Sequence, residues 1–174
     1  MKSPTLKRLI WYIPIILAFH NLEEALTMPQ WLLSNLPQLQ EKITLFNDLQ
    51  FSTKQLYLSL AAVTVLPFLL TVLCQKGELS KRKVEVMLVL QSIIFWNALM
   101  PHISGAIFLG MYNPGTVTAV ACNIPFTFYL FSRVKKEGVV SNRVLRDIFA
   151  LGFAVYLPLV YANHLMAQSI AKII

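Results

Sequence analysis

Apolar residues gather along the chain in five blocks, at 9–27, 56–73, 84–110, 116–131 and 144–171. Each is close to the ~20 residues that cross a ~30 Å hydrocarbon core as a helix. The pattern predicts an all-α membrane protein, a bundle of five transmembrane helices in a single domain over 1–174. Pro67, Pro101, Pro125 and Pro158 lie inside four of the blocks. Membrane helices tolerate proline because neighbours re-satisfy the freed carbonyls, so kinks are expected there. The segment 28–53 is too polar to span. Within it Leu32, Leu36, Leu39, Ile43 and Phe46 recur at steps of four, three, four and three. That is the stripe of an amphipathic helix, suited to lying in the outer interface over the mouth of the bundle.

Composition sharpens this picture. The chain is 56% hydrophobic and 13% charged, with mean hydropathy +0.61. A soluble domain holds about twice that share of charge, and no polar segment here is long enough to bury a core of its own. The net charge of +7 is unevenly placed. Lys2, Lys7 and Arg8 precede the first block. Lys76, Lys81, Arg82 and Lys83 lie between the second and third, and Arg133, Lys135, Lys136, Arg143 and Arg146 between the fourth and fifth. Only Lys42, Lys54 and Lys172 fall on the opposite side. The positive-inside rule then predicts a multi-pass protein of the cell membrane with its N-terminus in the cytoplasm and its C-terminus outside. Anionic lipid headgroups account for the basic charge, so membrane lipids are the expected partners and no nucleic acid is needed. The first block also resembles a signal peptide, but Glu23 and Glu24 stand where a small-residue cleavage site belongs. Cys74 and Cys122 should lie at opposite depths, which argues against a disulfide.

The candidate chemistry is polar residues placed in hydrocarbon. His20, Glu23 and Glu24 share one helical face at i, i+3 and i+4. Counted from the outer ends of their helices, His20, His102, His164 and Asn123 all lie roughly 10–15 Å deep at ~1.5 Å per residue. Asn97 and Asn163 accompany them, and Tyr161, His164 and Gln168 share a face of the last helix. Asn97 and His102 are five residues apart, a poor phase on an ideal helix that a kink at Pro101 would correct. Intramembrane ionisable groups face the bundle interior and pair with one another. Three imidazoles with one or two carboxylates make a first-row metal site, with zinc the leading ion and iron the second. His20, His102 and His164 are the expected ligands, with Glu23 or Glu24 as a fourth. The other glutamate would act as base or orienter, and Asn97, Asn123 and Asn163 would position water, substrate or ring N–H groups. The expected function is a metal-dependent membrane enzyme, a hydrolase or oxidoreductase, acting on a lipid or other small amphiphile. Two alternatives use the same residues: a proton- or ion-coupled transporter, and a polar network that only locks helices together. Five helices without an internal repeat argue against a carrier. Trp96 and Tyr156 read as packing.

The H-N-L-E-E of residues 20–24 resembles the signature of the HXXEE family of integral membrane proteins. "NALMPH", residues 97–102, and "YNPGTVTA", residues 112–119, resemble two further segments of that family. The resemblance implies a multi-helix membrane protein and supports His20, Glu23, Glu24, Asn97 and His102 as site members. It implies no substrate. Read from residues alone, Asn113-Pro114-Gly115 is a tight turn between the third and fourth helices, with Thr116 placed to cap the latter.

Overall fold

The computed structural model describes residues 4–42 and 52–173. Five helices follow the five apolar blocks: α1 Pro4–Lys42, α2 Thr53–Gln75, α3 Lys81–Leu109, α4 Thr116–Lys136 and α5 Asn142–Ile173. Each contains a stretch long and apolar enough to cross a membrane, and among the described residues there is no strand. The fold is therefore the all-α bundle that the blocks predict. α1 packs along α2, and α5 along both α3 and α2.

The end of the bundle that carries the basic loops holds a dry core. Leu6, Ile10, Ile13 and Leu17 of α1 meet Met87 and Leu88 of α3 and Leu130 and Val134 of α4. Side chains tie the loops down at this end. Gln75 donates to the Lys7 carbonyl at 2.6 Å, and Lys7 Nζ to the Gly77 carbonyl at 3.0 Å. α5 comes closest to α3 where Gly152 faces Ser92. A Cβ at Gly152 would collide with the Ser92 side chain and lie 3.0 Å from its carbonyl carbon. The absence of a side chain is what lets these two backbones approach.

α1 runs further than the polarity pattern suggests. It continues without a break through 28–42, past Pro29 and Pro37. The expected interfacial stretch is thus, as far as it is described, an extension of the first helix. Leu32 and Leu39 of the stripe are buried, whereas Ile43 and Phe46 lie outside the described residues. The boundary expected at 27 rested on a change of polarity. Polarity reports where a helix is buried and does not by itself stop the backbone ladder.

Two helices carry a widened turn. Ala98–Ile103 of α3 and Ala119–Asn123 of α4 form π turns, the first enclosing Pro101 and the second ending two residues before Pro125. Proline lacks an N–H, so the i→i−4 ladder is interrupted there, and a π turn absorbs the extra residue. The two π turns pack against each other. They lie at the end of the bundle away from the dry core, where the polar residues gather.

Candidate metal centre

His20, between Pro14 and Pro29 of α1, is fully buried, and His102, inside the α3 π turn, is 3% exposed. Their rings meet edge to face with centroids 4.6 Å apart. The outward nitrogens are both engaged. His102 Nδ1 lies 2.6 Å from the Pro114 carbonyl oxygen, which can only accept, so in the neutral ring Nδ1 carries the proton. His20 Nδ1 lies 2.9 Å from Thr118 Oγ1. That hydroxyl gives its own hydrogen to Glu23 at 2.5 Å, so it accepts from His20. Both rings are thereby fixed as the tautomer that leaves a lone pair on Nε2.

Those two lone-pair nitrogens face each other at 3.1 Å. Glu24 Oε1 is 3.1 Å from His102 Nε2, and the three ligand atoms of His20, Glu24 and His102 all lie within 4.8 Å of one another. Three acceptors this close in a buried site repel unless a proton, a donor such as the Asn97 amide, or a cation lies among them. The spacing fits a cation. Two nitrogens each about 2.0–2.1 Å from a zinc at the tetrahedral angle lie about 3.3 Å apart. Asn97 completes the group, its amide nitrogen 3.3 Å from His20 Nε2 and 3.2 Å from His102 Nε2. The α3 π turn makes this possible, because one i→i+5 turn stacks residues five apart on one face.

Glu23 stands outside the cluster. Its carboxylate accepts from the Thr118 amide at 2.8 Å, the Val117 amide at 3.2 Å and the Tyr112 hydroxyl at 2.8 Å. These amides open α4, where the helix dipole and unpaired N–H groups favour an anion. From His20, i+4 lies about 40° to one side of the helix face and i+3 about 60° to the other. Glu24 therefore turns into the cluster and Glu23 towards α4. The expected cap is corrected accordingly. Thr116 makes no cap, since its hydroxyl donates to the His102 carbonyl at 3.0 Å, and Glu23 takes that place from another helix.

His164 is not brought to the cluster. It accepts from Gln55 of α2 at 3.2 Å, and its neighbour Asn163 hydrogen-bonds Ser59 of α2. Tyr161 on the same helix is 65% exposed. Counting residues from a helix end fixes depth but not direction around the bundle, and α5 turns this face to α2. The hydrogen bonds around His164 and Asn163 join helices and add no ligand to His20 and His102.

Several contributors other than Asn123 were not legible as site residues. The loop between α3 and α4 reads as a plain turn, yet it wraps the two imidazoles. Pro114 supplies the acceptor for His102, and Asn113 donates to the Pro101 carbonyl at 2.6 Å. Gly115 has φ +84°, and a Cβ there would lie 2.7 Å from two atoms of the His102 ring and 2.9 Å from the His20 ring. Trp31 of α1 clasps the loop by donating to the Tyr112 carbonyl at 2.7 Å. Burial holds the Tyr112 phenol above its usual range, so it remains a donor to Glu23 at neutral pH. Tyr156, read as packing, is buried within electrostatic reach of Glu24. Asn123 is fully buried, and among the described residues neither atom of its amide finds a hydrogen-bond partner.

Comparison with known proteins gives one match. A family model described as "Protein of unknown function with HXXEE motif" matches residues 11–130. The matched stretch contains His20, Glu23, Glu24, Asn97, His102 and the loop 112–119. No curated protein matches the chain, and no solved structure does.

Proposed function

We propose, for a chain that belongs to the HXXEE family, that it is a metal-dependent membrane enzyme acting on a lipid or other small amphiphile. The observation that carries the proposal is the pair of Nε2 atoms 3.1 Å apart, with both Nδ1 atoms engaged elsewhere. Imidazoles held by a carbonyl and a hydroxyl on their far nitrogens are oriented as metal ligands are. His20, His102 and Glu24 would hold the ion. Two histidines and one carboxylate serve catalytic zinc, with a position left for water, and also non-haem iron(II). Bound there, such an ion would polarise a substrate oxygen or activate water, or would support oxidative chemistry.

The remaining roles belong to the chain itself. Glu23 anchors the α4 start and, through Thr118, the His20 ring. An apolar groove of about 220 Å3 begins at Pro29, five residues beyond Glu24, lined by Leu32, Leu33, Leu36, Pro37, Thr53 and Leu56. Its lining suits an alkyl chain, which supports an amphiphilic substrate. The excess of basic residues at the opposite end supports placing the site in the outer half of the membrane, with the N-terminus cytoplasmic.

One contact favours a second reading. Glu24 and His102 at 3.1 Å also suit a shared proton, as in a proton-coupled carrier. Metal content separates the two. Protein purified without chelator or polyhistidine tag, then reloaded with zinc or iron, should carry about one ion per chain. Glu24→Gln should lose it, and Glu23→Gln should keep it while losing stability on the order of 1 kcal/mol at the helix start. No metal in the parent protein would reject the enzyme reading and leave the proton relay.

A further inference from the structure

We propose that Asn97 is the fourth ligand of the cation, turning its amide by half a turn about the last side-chain bond when the ion binds. The inference rests on the metal reading above and adds an amide that so far only donates. Its nitrogen is nearly equidistant from the two Nε2 atoms, at 3.3 and 3.2 Å. Each hydrogen of the amide goes to one lone pair, which keeps two facing acceptors satisfied at 3.1 Å.

With an ion present the same orientation is wrong. The lone pairs of both imidazoles are taken, and the amide hydrogens point at positive charge. Rotation about χ2, a broad torsion for asparagine, exchanges nitrogen and oxygen without moving the backbone. The carbonyl oxygen then stands about 3.2–3.3 Å from both Nε2 atoms, the edge length of a tetrahedral site for a first-row ion. Glu24 Oε1, 3.1 Å from His102 Nε2 and within 4.8 Å of the His20 donor, would complete the donor set. The donor set becomes two nitrogens and two oxygens, more oxygen-rich than histidine alone and suited to manganese and iron as well as zinc. The π turn at Ala98–Ile103 acquires a purpose, because without it Asn97 and His102 would face about 140° apart on an α-helix.

The test uses cobalt(II) as probe, with affinity measured in competition against a chelator and fold checked by metal-free thermal unfolding. A ligand and a mere hydrogen-bond donor differ in sign at one substitution. Asn97→Asp replaces a neutral oxygen by a charged one and should bind cobalt about 10-fold more tightly, with a shifted visible spectrum. Asn97→Leu should weaken binding by about 10–100-fold, the range for lost support of a metal site. Asn97→Ala serves the same comparison if leucine prevents folding. Equal affinity of the parent and Asn97→Leu would overturn the proposal. So would Asn97→Asp binding as weakly as Asn97→Leu, since a carboxylate cannot donate and that result would assign Asn97 a donor's role only. A parent protein that takes up no cobalt would overturn both this and the metal reading, whereas failure at Asn97 alone leaves His20, His102 and Glu24 in place.

Discussion

Gly115 has room for nothing larger than hydrogen. Its φ of +84° is strained for any other residue, and its missing side chain is the gap in which the His20 and His102 rings lie. Gly115→Ala combines the two penalties. The strained backbone alone is worth about 1–3 kcal/mol, and the methyl must push at least one imidazole aside. We expect loss of bound metal together with a lowered unfolding temperature, read by metal analysis and thermal unfolding in detergent. Full metal content with unchanged stability would show that the loop does not hold the rings. At this scale the sequence was partly legible. His20, Glu24 and His102 stand out because ionisable groups in hydrocarbon are costly. Their division of labour does not, since i+3 and i+4 differ only in which neighbour each side of the helix meets. Gly115 and Pro114 carry no ionisable group, so a search for chemistry passes over them.

The helices show why five residues can separate two partners. Residues 97 and 102 meet because α3 widens into a π turn at Pro101, as α4 does before Pro125. The prolines are visible in the sequence, and a correction of phase at Pro101 follows from them. The form it takes, a π turn and not a sharp bend, depends on packing between the two helices. His164 illustrates the opposite case. Its depth agrees with the other histidines, but the azimuth of α5 is set by contacts elsewhere, among them Gly152 against Ser92. That contact can be tested alone. Gly152→Ala forces apart α3 and α5, and overpacking of this kind costs about 1–3 kcal/mol. The expected result is a lower unfolding temperature with the His20, Glu24 and His102 cluster untouched. Unchanged stability would mean that α5 is free to shift.

Taken whole, the molecule divides into a dry half beside the basic loops and a polar half around the two π turns. Helix number and fold class were legible because ~20-residue apolar blocks leave few alternatives. The extent of α1 was not, because its polar extension keeps helical hydrogen bonding. The proposed placement in the membrane rests on the basic residues. A cysteine probe introduced at Asn113 should be labelled from outside intact cells, and one at Gly138 only after permeabilisation. Labelling of both from outside would contradict the proposed orientation. The central claim is that a cation lies between His20, His102 and Glu24. Crystals of the full chain, loaded with zinc at neutral pH where imidazoles ligate, can be measured just above and just below the zinc absorption edge. The account predicts an anomalous peak, lost below the edge, about 2 Å from both Nε2 atoms. A flat anomalous map there, with the two Nε2 atoms still 3.1 Å apart, would contradict it.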